Sequence, residues 1–124
     1  MKRIGVVSES FKVLVCGGRN YSDKSVLWHT LDGFGPPEIT EIISGMARGA
    51  DSLAAEWATK FGFPLQKFPA DWKKYGKAAG SIRNQQMLDE GKPDLVIAFP
   101  GGTGTRDMIK KANKAGVRVI EVGK

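Results

Sequence analysis

Five short apolar runs punctuate the chain, at residues 12–16 (KVLVC), 39–44 (ITEIIS), 65–68, 95–99 (LVIAF) and 117–122, and stretches of helical spacing separate them. Each run is too short for a helix and rich in β-branched residues or bounded by Gly and Pro, so each reads as a strand. Near-continuous apolar character, as opposed to alternation, marks strands covered on both faces. A strand followed by a crossover long enough for a helix pairs in parallel with its successor. The expected architecture is therefore α/β: a single Rossmann-like three-layer domain. It has a mostly parallel five-stranded sheet in the order of about 3-2-1-4-5, right-handed crossovers, and helices on both faces.

The connecting stretches carry helix signals. Ser22 is a candidate cap for a helix ending near Asp32, with Val26, Leu27, Thr30 and Leu31 on one face and Gly33 as its stop. Residues 50–61 place Leu53, Ala54, Trp57 and Phe61 at core spacing before Gly62. A third helix is expected over residues 81–90, and a last one capped by Thr105, with Met108, Ile109, Ala112 and Ala115 inward. Gly35-Pro36-Pro37 reads as a turn and residues 69–80 as irregular chain. With 124 residues the protein has the length of one domain, expected over 11–124. Residues 1–10 form either an arm or, at 4–7, a small edge strand.

Composition narrows the setting. The lone cysteine, Cys16, excludes an internal disulfide and fits a reducing cytoplasm. No apolar stretch matches a membrane span or a signal-peptide core, so a soluble, cytoplasmic protein without a membrane partner is expected. His29 and Cys16 are the only soft ligands, so no metal or cofactor is expected. Cys16 reads as a strand-end core residue, because no second histidine is present to activate it. The formal net charge of +6 favours anionic partners, or else reflects a lysine-coated surface.

In open α/β sheets ligands bind beyond the carboxyl ends of the strands, near the switch in strand order. Three glycine-rich segments fall there: Gly17-Gly18-Arg19, residues 45–51 (GMARGAD), and residues 100–105 (PGGTGT). The last opens onto a helix, whose unpaired N–H groups and dipole favour a phosphate. Gly101, Gly102, Thr103, Gly104 and Thr105 are accordingly candidate phosphate-binding residues. The segment is neither a P-loop nor a GxGxxG fingerprint. In the second segment Gly45, Ala47, Arg48 and Gly49 are candidate ligand contacts, Arg48 as an anion fork. Asp51 reads as a helix-start residue tying that loop down and is also a candidate ligand contact, as are Gly17, Gly18 and Arg19 of the first segment. Asp107 either complements the helix dipole or places a carboxylate beside the phosphate for ribose contact or acid–base work. Arg83 and Asn84 either face the crevice or cap their helix. Trp72, Lys73 and Tyr75 form a candidate lid, with rings for a base and lysines for phosphates.

These stretches, VCGGRNYSD (15–23), ISGMARGADSLAAEWA (43–58), DWKKYGKAAGSIRNQQML (71–88) and DLVIAFPGGTGTRDM (94–108), resemble the SLOG superfamily, and within it the small YspA-like proteins. The superfamily includes the lonely-guy phosphoribohydrolases, and residues 44–51 are also similar to the DNA-processing protein of natural transformation. The resemblance covers roughly 12–122 and implies a nucleotide-type ligand over the carboxyl edge of the sheet. Lonely-guy enzymes use a PGGxGTxxE motif and an arginine on the preceding helix to cleave an N-glycosidic bond. Here residues 100–105 match the motif, Asp107 stands near its glutamate, and Arg83 resembles the arginine. The chain departs in having the shorter aspartate, and Asn84 in place of a lysine after Arg83.

Three functions compete. The first is binding of a nucleotide-derived small molecule, for sensing, sequestering or processing. The second is N-glycosidic hydrolysis of a nucleoside monophosphate, with Asp107 and Arg83 as its catalytic pair. The third is single-stranded nucleic-acid binding, which ranks last because no dedicated motif is present. A homodimer or higher homo-oligomer is expected, with Trp28 or Trp57 as candidate surface contacts.

Overall fold

A computed structural model describes residues 10–34 and 38–123. The 4–7 edge strand and the Gly35-Pro36-Pro37 turn lie outside the described residues. The chain runs β1 (Lys12–Cys16), α1 (Lys24–Asp32), β2 (Glu41–Ser44), α2 (Ala50–Phe61), β3 (Leu65–Lys67) and α3 (Trp72–Tyr75). A 3-10 turn (Gly76–Ala78), α4 (Ala79–Gln86), a π turn (Met87–Gly91), β4 (Leu95–Ala98), α5 (Thr103–Lys114) and β5 (Arg118–Glu121) follow. The five strands form one parallel sheet in the order β3-β2-β1-β4-β5. Ladder hydrogen bonds run one residue past the strands, from Phe68 N to Ser44 O and from Phe99 N to Cys16 O, both 2.9 Å. The longer apolar runs in the sequence reflect that continuation.

Alternate strand residues feed two cores. Val13, Val15, Ile42, Leu95 and Ile97 pack with Leu27 and Leu31 of α1 and Ala54 and Trp57 of α2. Leu14, Cys16, Ile43, Val96 and Ala98 meet Met87 and Leu88, and Met108 and Ala112 of α5, on the other face. The period-two alternation of a strand therefore decides which helix layer each side chain joins.

Several expectations are corrected. Asp23, not Ser22, caps α1, its carboxylate accepting from Val26 N at 3.1 Å. Val26 and Phe61 face outward, because the inward stripe of each helix is narrower than its apolar spacing suggested. Ala115 likewise is exposed, at the end of α5. Trp57 is buried, stacked on Phe63 and donating from Nε1 to Asp32 Oδ1 at 2.9 Å, so it offers no surface contact. Trp28 is half-buried and spends its Nε1–H on Leu53 O at 3.0 Å. Residues 69–80 are not irregular throughout: Asp71 caps α3 by accepting from Lys74 N at 3.0 Å. Finally, α5 begins at Thr103 with Gly102 as its cap residue, so Thr105 lies inside the first turn.

Among the described residues no helix is long and apolar enough to cross a membrane.

Candidate functional site

The loops after β1, β2 and β4 are joined by their backbones. Gly18 N donates to Pro100 O at 2.9 Å, while Gly18 O accepts from Tyr21 N at 3.2 Å and Ala50 N at 3.3 Å. This fit requires missing side chains. Gly49 has φ +83°, and a Cβ there would strike Gly18 O; a Cβ on Gly101 would strike Thr105 Oγ1 and Gly18 N. Gly49 and Gly101 thus brace the loops together and do not line the cleft that they support.

That cleft has a volume of about 520 Å³, within the ordinary small-molecule range of roughly 300–1,000 Å³. Its floor and one wall come from Gly17, Gly18, Arg19, Ala47 and Asp51. Gly102, Thr103, Gly104, Thr105 and Asp107 supply the facing wall, and Trp72, Arg83 and Asn84 the third side. Sequence reasoning placed all of these. It also named Arg48, Lys73 and Tyr75, which stand exposed outside the cleft, and Gly45, which lies buried beneath Arg83. Cys16, Gly80, Ser81, Met87 and Met108 also line the cleft without a signal in the sequence, as does Lys77, close in sequence to the candidate lid.

The α5 end is open. Its first internal hydrogen bond runs from Arg106 N to Gly102 O at 3.0 Å, and no side chain among the described residues caps the helix. The N–H groups of Thr103, Gly104 and Thr105 therefore have no partner among the described residues. The Thr105 hydroxyl also makes no hydrogen bond among them, although the residue is only 8% exposed. Among the described residues nothing stands where a Cβ on Gly102 or Gly104 would lie, and both glycines line the cleft.

Arg83 crosses from α4, donating from Nη1 to Gly45 O at 2.6 Å and from Nε to Asn84 Oδ1 at 3.1 Å. Burial draws its pKa below the usual value, against the opposing pull of Asp51. Burial also pushes the Asp51 carboxyl up to about 6, although the Ala47 N–H, Arg83 and Arg19 all pull it down. The Cys16 thiol is pushed up to about 12 by burial, with Asp51 adding to the effect, which leaves it an unreactive floor residue. Over the cleft mouth the Arg19 guanidinium stacks on Trp72, 5.0 Å from the ring centroid.

Asp107 is held on both oxygens. Lys111 Nζ donates to Oδ1 at 2.6 Å and Asn84 Nδ2 to Oδ2 at 3.0 Å, while Lys111 also reaches Ser81 Oγ at 2.9 Å. Burial alone would raise its pKa, but the hydrogen bonds from Lys111, Asn84 and Ser81 outweigh burial and hold it below the usual carboxylate range. Asp107 is thus an anion at neutral pH and not a general acid. Counted from Pro100, the PGGxGTxxE pattern puts its glutamate at position 108, where this chain has the fully buried Met108.

The raised pKa of Asp51 has a stability consequence. Protonation is easier in the fold than at the ordinary value of 3.8, so its contribution is fully present below that value and lost as pH rises through about 6. The stability of the wild type relative to Asp51→Asn is expected to fall by up to roughly 3 kcal/mol between about pH 4 and about pH 7. Urea denaturation of both proteins across that window measures it, and a pH-independent difference contradicts it.

Among the described residues no group of three or more His, Cys, Asp or Glu side chains is placed to hold a metal ion. The sequence profile of the YspA, cpYpsA-related SLOG family matches residues 11–75, which include the loops after β1 and β2 and Trp72. The chain is also similar to the Gene 61 protein of Mycobacterium phage D29, with 36% identity over 121 residues covering 90% of this chain and 96% of that protein.

Proposed function

Because the chain belongs to the YspA, cpYpsA-related SLOG family, we propose that its cleft binds a nucleotide or nucleotide-derived phosphate ligand. The observation that carries this reading is the uncapped start of α5. Thr103, Gly104 and Thr105, whose N–H groups and, at Thr105, buried hydroxyl have no partner among the described residues, line the cleft together with Arg83. A phosphate supplies the acceptors these donors lack. Trp72, 48% exposed and lining the cleft, offers a ring face to the base once Arg19 swings toward the phosphate.

Native mass spectrometry of protein purified from cells, followed by calorimetry with nucleoside mono- and diphosphates, tests this directly. Retention or binding of a nucleotide is the expected result. Trp72→Ala is expected to weaken nucleotide binding by roughly 1–3 kcal/mol while leaving inorganic phosphate binding unaltered. Equal loss for both ligands would remove Trp72 from the base site.

Hydrolysis of an N-glycosidic bond is the second reading, supported by the ionised Asp107 carboxylate beside the same helix end. An anion there stabilises positive charge developing on a ribose. Release of free base in the same experiments distinguishes turnover from binding.

A further inference from the structure

The cleft holds a second polar group without a full set of partners. Asp51 is 6% exposed and lines the cleft, yet only Oδ2 is engaged, by Ala47 N–H at 3.2 Å. Among the described residues Oδ1 accepts no hydrogen bond, and no lysine or arginine forms an ion pair with Asp51. The residue is anchored from behind, where Ser44 Oγ donates to its main-chain oxygen at 3.0 Å. Arg83 of α4, Arg19 of the loop after β1 and Cys16 of β1 act on it electrostatically, and Asp107 and Lys77 line the same cleft.

A phosphate cannot settle on a carboxylate oxygen, so the natural occupant of Oδ1 is a neutral donor on another part of the ligand. In a nucleotide the ribose hydroxyls lie between phosphate and base. Asp51 is the second residue of α2, which follows β2, the strand beside β1, and acidic residues at the carboxyl edge of Rossmann-type sheets receive ribose hydroxyls. We infer that Asp51 accepts a hydrogen bond from the ribose hydroxyl that deoxyribose lacks, so that the cleft selects ribonucleotides. This inference rests on the nucleotide reading above.

The test is calorimetry of the wild type with the common ribonucleoside monophosphates and their deoxyribose counterparts. The best ribonucleotide is expected to bind about 10- to 100-fold more tightly than its deoxy form, the worth of one hydrogen bond to a charged group. That ratio should shrink from about pH 7 to about pH 5, as the carboxyl takes up a proton, and should approach one in Asp51→Asn. The pH series needs no variant, so a poorly folding Asp51→Asn protein leaves the test intact. Equal binding of both sugars at neutral pH overturns the inference and leaves the nucleotide reading standing. A large ratio unmoved by pH and by Asp51→Asn assigns the hydroxyl to another group and also overturns it. Binding of no nucleotide at all overturns both.

Discussion

Gly49→Ala is expected to destabilise the protein by about 3 kcal/mol or more. Two costs add. A φ of +83° is strained for any residue with a Cβ, at roughly 1–3 kcal/mol. The added Cβ also overlaps the Gly18 carbonyl oxygen, which already receives Tyr21 N and Ala50 N, so neither backbone has room to yield. Overpacking of that kind costs roughly another 1–3 kcal/mol. Gly62→Ala is the control: φ there is +76°, but among the described residues nothing lies within 4 Å of the new Cβ. It is expected to cost only the left-handed strain, about 1–2 kcal/mol. Equal losses in the two variants, measured by chemical denaturation, would show that the contact between loops contributes nothing.

Gly104→Val is expected to do the reverse, sparing the fold and removing the ligand. Gly104 is the second residue of α5, where glycine is among the poorest helix formers, and its Cβ position is open. Stability should hold or rise by a few tenths of a kcal/mol. The isopropyl group, however, adds bulk to the cleft wall beside the free N–H groups. Loss of two charge-assisted hydrogen bonds, each worth about 1.5–3 kcal/mol, lowers phosphate affinity by about 100-fold or more. An affinity within about threefold of the wild type would place the phosphate elsewhere.

Legibility in the sequence followed physical range. The five apolar runs and the glycines after them are local signals, and they carried the strand order and the position of the cleft. The pairing of Asp107 with Lys111 was open to reading from its i,i+4 spacing, but the Lys111–Ser81 hydrogen bond joins residues with no sequence relation. Pro69 and Gly76 masked α3, a helix too short to show a period. The glycines of the three loops look alike in sequence. Only packing separates Gly49 and Gly101, which let loops touch, from Gly102 and Gly104, which leave room for a ligand. In the sequence Asp51 reads as a loop tie and a candidate ligand contact; the tie runs through Ala47, while its free oxygen and raised pKa depend on burial that no spacing reveals.

Gly18 also bears on how the protein assembles. Its N–H and carbonyl connect residues as distant along the chain as Pro100, so the cleft exists only after β1, β4 and the helix following β2 have all docked. Contacts of such long sequence separation form late, because their loop-closure entropy must first be overcome. A ligand in the cleft therefore recognises the finished chain and not a fragment or a partly folded intermediate. Its binding free energy adds wholly to the native state, and protection from proteolysis by ligand becomes a direct measure of occupancy.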